Sequence, residues 1–158
     1  MRYAVPETAQ DAAMMLKQEK GLARVLAGGT DLLVQMRTGR VRPDLIVDLK
    51  RIAELTGIRV ESGGFVIGAA TPCAVIGEHI ELARAWPGVV EAATLIGSTQ
   101  IQGRASLGGN LCNASPAADG VPPLLMLDAS VELVSRNGVR VLALGEFITG
   151  VRRTALRP

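Results

Sequence analysis

The sequence predicts an α+β fold built as two lobes, and three features lead there. Residues 1–50 alternate short β-branched runs with helical stretches in a β-α-β-α-β order, which implies a small parallel sheet with right-handed crossovers. From residue 56 the order changes, and Ser62-Gly63-Gly64 and Asn137-Gly138 each divide two strand-like runs, the mark of antiparallel hairpins. Finally, one Gly-Gly pair falls in each part, at Gly28-Gly29 and Gly108-Gly109. The expected organisation is a β-α-β lobe over residues 1–55 and an antiparallel-sheet lobe with helices over residues 56–158.

Each element has its own signal. Tyr3–Val5 reads as a short strand, and a helix follows from about Glu7 to Lys20, with Thr8 as N-cap and Asp11 as its capping-box partner. Ala12, Met15 and Leu16 face inward, and Gly21 stops the helix. Arg24–Ala27 is a strand feeding the first glycine turn. A helix over Asp31–Thr38 then ends before Gly39, with Asp31 read as its cap. Leu45–Leu49 is an apolar, β-branched run of the buried-strand type. In the second part, Gly57–Glu61 and Phe65–Ala69 form a hairpin. Thr71 caps a helix that has Pro72 in its first turn and runs through Val75, Ile76 and Ile80. Trp86-Pro87 interrupts the helical stretch before Val89–Ile96. Ala105–Asp119 reads as a loop, Val121–Leu127 as a short apolar helix, and Val131–Ser135 with Val139–Leu142 as a second hairpin.

Composition narrows the chemistry. The chain has 158 residues, 48% of them hydrophobic, and a formal charge of +2. That is enough for one compact domain or two small lobes, and too nearly neutral for nucleic acid as the main partner. Two cysteines, Cys73 and Cys112, without a Cys-x-x-Cys or Cys/His cluster, exclude a disulfide scaffold and argue against a zinc or iron–sulfur site. A reduced, cytoplasmic setting is expected. The opening MRYAVPETAQ has no apolar run of the signal-peptide kind, and no later stretch is long enough to span a membrane.

The two glycine segments carry the functional reading. Leu26–Leu33 (LAGGTDLL) places a Gly-Gly turn between a strand and a helix, so several backbone N–H groups and the positive end of the helix dipole converge. Thr30 adds a hydroxyl. Ala105–Asp119 (ASLGGNLCNASPAAD) combines a second Gly-Gly with amides, hydroxyls and one carboxylate, a bed suited to phosphate and ribose; an ordinary Asx/Ser-rich turn is the bland alternative. Neither segment fits GxGxxG or a Walker motif. Two such segments in one short chain suggest a ligand with two phosphates.

LAGGTDLL followed by QIQGRASLGGNLCNASPAAD resembles the FAD-binding flavoprotein subunit of the molybdenum hydroxylases, the family of xanthine dehydrogenase, carbon monoxide dehydrogenase and aromatic-hydroxylase relatives. The resemblance runs from end to end of the chain. It implies a vanillyl-alcohol-oxidase-like FAD-binding domain within a complex. A small partner subunit would carry two [2Fe–2S] clusters and a large one molybdopterin. Electrons from a substrate hydroxylated at molybdenum would pass through FAD to an external acceptor. Carried over by position, Ala27, Gly28, Gly29, Thr30, Asp31 and Leu32 match the first FAD loop, and Ser106, Gly108, Gly109 and Asn110 the second. Asn113 and Ser115 fall where side-chain donors reach phosphate, and Asp119 where a carboxylate accepts from ribose or adenine. Ile96 matches an apolar position near the flavin, though a core role is the better reading. No residue is assigned a catalytic role.

The chain departs from the family at Gln102-Gly103-Arg104, where many relatives have Arg-Asn directly after Gln-Ile, and the family's later flavin-ring contacts would fall beyond Pro158. The resemblance therefore implies an FAD domain cut near its boundary, with the family's C-terminal domain absent. The alternative function is a remnant that binds flavin weakly or not at all, and a smaller nucleotide such as ADP or NAD is a third reading. His79, the lone histidine, is read as structural, Cys112 as a small packing residue, and Arg152, Arg153 and Arg157 as a solvated tail.

Overall fold

A computed structural model describes residues 1–156; Arg157, read above as part of the tail, and Pro158 lie outside the described residues. The first part is a three-stranded parallel sheet in the order β1 (Arg2–Ala4), β3 (Leu45–Asp48), β2 (Ala23–Leu26). Register pairs Tyr3 with Ile46 and Val25 with Val47. β3 lies in the middle and is buried along its whole length, which explains its unbroken apolar run LIV. The crossovers are α1 (Ala9–Gln18) and α2 (Leu32–Arg37). Ala9, Ala12, Leu45, Val47 and Ile52 make the core beneath α1, with Met15 and Leu16 packed at its edge.

The second part differs from the expected antiparallel-sheet lobe. It holds three separate two-stranded hairpins: β4 (Ile58–Glu61) with β5 (Gly64–Ile67), β6 (Ser130–Ser135) with β7 (Gly138–Ala143), and β8 (Ile148–Gly150) with β9 (Arg153–Thr154). Short helices fill the space between them: α3 (Cys73–Gly77), α4 (Ile80–Ala85), α5 (Pro87–Leu95), α6 (Thr99–Gln102), α7 (Leu107–Asn113), α8 (Val121–Met126) and α9 (Leu144–Phe147). One core unites Cys73, Ile76, Leu82, Val89, Ala93, Ala105 and Leu107, and Ile96 packs against it. Another gathers Leu111, Leu144 and Phe147. β6 rests on α1, and its Val134 joins the core of the parallel sheet.

Several local expectations are corrected by hydrogen bonding. Thr8 does cap α1, accepting from the Asp11 N–H at 3.1 Å, but its hydroxyl donates to the Asp11 carboxylate at 2.8 Å, so that carboxylate serves the threonine side chain. Thr71 caps nothing. It is fully buried and its hydroxyl donates to the Gly57 carbonyl at 2.9 Å, tying the first hairpin to α3. The single helix expected from Thr71 through Ile80 is split at Glu78-His79. His79 is the reason for the restart, because its Nδ1 accepts from the Leu82 N–H at 3.0 Å and caps α4. At the C-terminal end, β8 and β9 pair, so residues read as an unstructured tail close an element.

Candidate functional site

The first glycine segment leaves β2 at the C-terminal edge of the parallel sheet. Gly29 takes φ +80°, the left-handed region open to glycine, and turns the chain into α2. The Gly29 carbonyl accepts from the Leu33 N–H at 2.9 Å and starts the helix. Asp31, expected as the cap, has helical backbone angles and makes no capping bond, so its exposed carboxylate is left to solvent. Among the described residues, the N–H groups of Gly28, Gly29, Thr30, Asp31 and Leu32 donate to no protein acceptor. A succession of free backbone donors around a left-handed residue is an anion-binding arrangement. Ala27, Thr30 and Leu32 are half-buried around it.

The second segment is a helix where a loop was expected. α7 begins at Leu107, and Gly108-Gly109 lie in its first turn. Ser106 starts it, its buried Oγ accepting from the Gly109 N–H at 3.1 Å. Ser106 is thus a cap, and the Gly109 N–H is already engaged. The two glycines differ in their surroundings. A Cβ on Gly108 would lie 2.4 Å from the Ala69 carbonyl oxygen, so glycine lets α7 seat on the strand-to-helix connection below. A Cβ on Gly109 would lie 3.1 Å from Ser106 Oγ, a tight contact with the same oxygen that caps the helix, so a side chain there would press on a single side-chain atom and not on backbone.

The two segments meet. A Cβ on Gly28 would fall 2.0 Å from the Arg104 carbonyl oxygen and 3.0 Å from Ala105 Cα, so the first turn lies directly on the backbone that leads into α7. That backbone is held from the other side by the Cys73 N–H, which donates to the Ala105 carbonyl at 2.7 Å. Burial pushes the Cys73 thiol up to about 11, so it stays a neutral packing group.

The remaining predicted residues lie along and beyond α7, whose seven residues extend about 10 Å. Asn110 faces inward, its Oδ1 accepting from the Gly120 N–H at 3.2 Å, and so fastens α7 to the start of α8. Asn113 Oδ1 accepts from Arg152 at 2.5 Å, and the Arg152 N–H donates to the Ala114 carbonyl at 2.8 Å. Arg152 is therefore a brace for the end of α7, not a solvated tail residue. Ser115 Oγ accepts from the Ala117 N–H at 3.3 Å, leaving its own proton to donate outward. Asp119 is exposed with no partner among the described residues, and Cys112, expected to pack, is exposed as well. Among the described residues there is no cluster of three potential metal ligands, and no helix is long and apolar enough to cross a membrane.

Sequence reasoning missed one group. Asp48, at the end of β3 and 5% exposed, accepts from the Lys50 backbone N–H at 3.0 Å, from Lys50 Nζ at 2.7 Å and from the Tyr3 hydroxyl. Lys50 Nζ also reaches the Ala27 carbonyl at 3.3 Å. Burial works to raise the Asp48 carboxyl, but the bonds from Lys50 and Tyr3 outweigh it and hold it below its usual value. The signal available beforehand was the Asp at the end of an otherwise apolar central strand.

Comparison with known proteins places the chain in a family. The family described as "FAD binding domain in molybdopterin dehydrogenase" matches residues 1–158. The chain is 36% identical to the nicotinate dehydrogenase FAD-subunit of Eubacterium barkeri, over 98% of this chain and 53% of that protein. It is 39% identical to a putative xanthine dehydrogenase FAD-binding subunit of Escherichia coli K12, over 91% of this chain and 50% of that protein. Its structure superposes on a chain of carbon monoxide dehydrogenase from Hydrogenophaga pseudoflava with a TM-score of 0.95 at 31% identity, covering 99% of this chain and 55% of that one. The chain thus spans about half the length of the curated relatives it matches. On these grounds the protein belongs to the family of FAD-binding domains found in molybdopterin dehydrogenases.

Proposed function

We propose that this chain binds FAD and relays electrons within a molybdenum-containing hydroxylase. The observation that carries the reading is the seating of Gly28 on the Arg104–Ala105 backbone, which joins two donor-rich glycine segments at one place. The diphosphate would lie across the free N–H groups of residues 28–32 and beside the Gly108-Gly109 turn of α7, with the Thr30 hydroxyl as a further donor. Asn113 ends α7 and Ser115 lies just beyond it, where their remaining donors would serve the outer part of a dinucleotide. Asp119, an acceptor-only carboxylate, suits ribose hydroxyls or an adenine amine. On this reading residues 1–55 and 56–158 are the two lobes of a vanillyl-alcohol-oxidase-like domain with the cofactor between them.

When bound, FAD supplies the redox chemistry, and the protein's part is to hold and orient it. None of these residues has to act as acid, base or nucleophile. The partners on this reading are an iron–sulfur small subunit and a molybdopterin large subunit, assembled in the cytoplasm, and the electrons leave to an external acceptor.

The test is a visible absorption titration of the purified chain with FAD, alongside Gly109→Val. Wild type should take up the flavin. Gly109→Val should lose binding, and far-UV circular dichroism checks that the variant is folded, since its side chain presses on Ser106 Oγ, the cap of α7. A folded wild-type chain that ignores FAD would make this domain a scaffold. Unchanged binding in the variant would overturn the placement of the phosphates.

A further inference from the structure

We propose that Lys50 is a positioning residue for the diphosphate, acting through the Ala27–Gly28 peptide; the inference rests on the FAD-binding reading. Lys50 Nζ bridges the Asp48 carboxylate at 2.7 Å and the Ala27 carbonyl at 3.3 Å. Asp48 is itself fixed by the Tyr3 hydroxyl and the Lys50 backbone N–H, so the ammonium is held at a set place at the end of the sheet. All peptide bonds among the described residues are trans. In a planar trans peptide, the carbonyl of one residue and the N–H of the next point in opposite directions. Holding the Ala27 oxygen toward Lys50 therefore turns the Gly28 N–H the opposite way.

The alternative orientation is the damaging one. If the Ala27–Gly28 peptide rotated by half a turn, a carbonyl oxygen would replace the N–H in the anion-facing row and repel phosphate. Gly28 lies against the Arg104 carbonyl, which holds its Cα in place but leaves the peptide plane before it unspecified. Lys50 supplies that specification.

Lys50→Met, which keeps the aliphatic stem and removes the ammonium, tests this in the purified chain, with ADP and adenosine as paired probes beside FAD. The wild type should bind ADP more tightly than adenosine. Lys50→Met should raise the Kd for ADP and FAD about tenfold, as expected for loss of a charge-assisted hydrogen bond, and leave adenosine unchanged. Lys50→Arg should restore much of the ADP preference. Equal weakening of ADP and adenosine would indicate a merely structural lysine and overturn the inference, as would wild-type ADP affinity in Lys50→Met. If Lys50→Met fails to fold by far-UV circular dichroism, Lys50→Gln carries the same expectation and the same refutation. A wild-type chain that binds neither FAD nor ADP removes the functional reading and this inference together.

Discussion

Gly28 and Gly109 show why glycine identity says little until its surroundings are known. Gly28 is glycine because backbone from the other segment occupies the place of its side chain. Gly28→Ala should therefore cost about 2 kcal/mol or more in urea unfolding, the range for forcing an atom into a filled site, since the obstacle is backbone that cannot rotate away. Gly109→Ala should cost less by the same measurement, because its Cβ would meet one side-chain atom, Ser106 Oγ at 3.1 Å, which can shift where backbone cannot. The Tyr3–Asp48 contact makes a second claim at this scale. The Asp48 carboxyl is held low, so its contribution is present above the unfolded carboxyl value of about 4 and is lost as pH falls through the folded value. The Tyr3 phenol is raised, first by its bond to Asp48 and also by burial, so its contribution is present below about 10 and is lost as pH rises through the folded value. Melting temperature measured against pH should fall at both ends. Tyr3→Phe should flatten the alkaline fall and shrink the acid one; an unaltered alkaline limb would mean the hydroxyl contributes nothing.

Among the elements, those whose packing repeats with a regular period were legible and those set by a single hydrogen bond were not. The central strand Leu45–Asp48 announces itself by an apolar run, and α1 by Thr8 followed by inward Ala12, Met15 and Leu16. The hairpins over 58–67 and 130–143 follow from their glycine turns. By contrast, α7 reads LGGNLCN, in which Gly108, Gly109, Asn110, Cys112 and Asn113 have low helix propensity, and it exists because Ser106 caps it while Leu107 and Leu111 are buried beneath. The split between α3 and α4 turns on His79 Nδ1, which no periodicity reports. The first glycine turn was legible as a strand-to-helix turn, whereas the bonds of Lys50 were not, because its partners come from residues 27 and 48 through the fold. If caps decide these helices, Ser106→Ala and His79→Ala should each lower stability by about 1 kcal/mol in chemical denaturation. The two should add, since they cap different helices and share no bond. A loss well below that in Ser106→Ala would mean that tertiary packing alone sustains α7.

For the molecule as a whole, the question is whether the cofactor joins its two parts or sits on one. In the chain alone the parts touch where Gly28 meets Arg104, where Gly68 and Ala70 lie on Leu55, and where β6 rests on α1. A dinucleotide lying on both glycine segments would add a further connection that exists only when ligand is bound. The composition provides separate reporters, since the single tyrosine, Tyr3, lies in the parallel sheet and the single tryptophan, Trp86, lies between α4 and α5. Ligand that binds only the folded state at about a hundred times its Kd stabilises by about 2.7 kcal/mol. For a chain of this length that corresponds to a rise of about 5–10 °C in Tm. Thermal unfolding followed by Trp86 fluorescence and by the Tyr3 near-ultraviolet signal should show both transitions rising together with FAD and coinciding, as one cooperative unit requires. Movement of the Trp86 transition alone would place the ligand on α7 and its neighbours without the first glycine segment. The site would then be half of the one drawn here, and Gly28, Thr30 and Lys50 would have no part in holding phosphate.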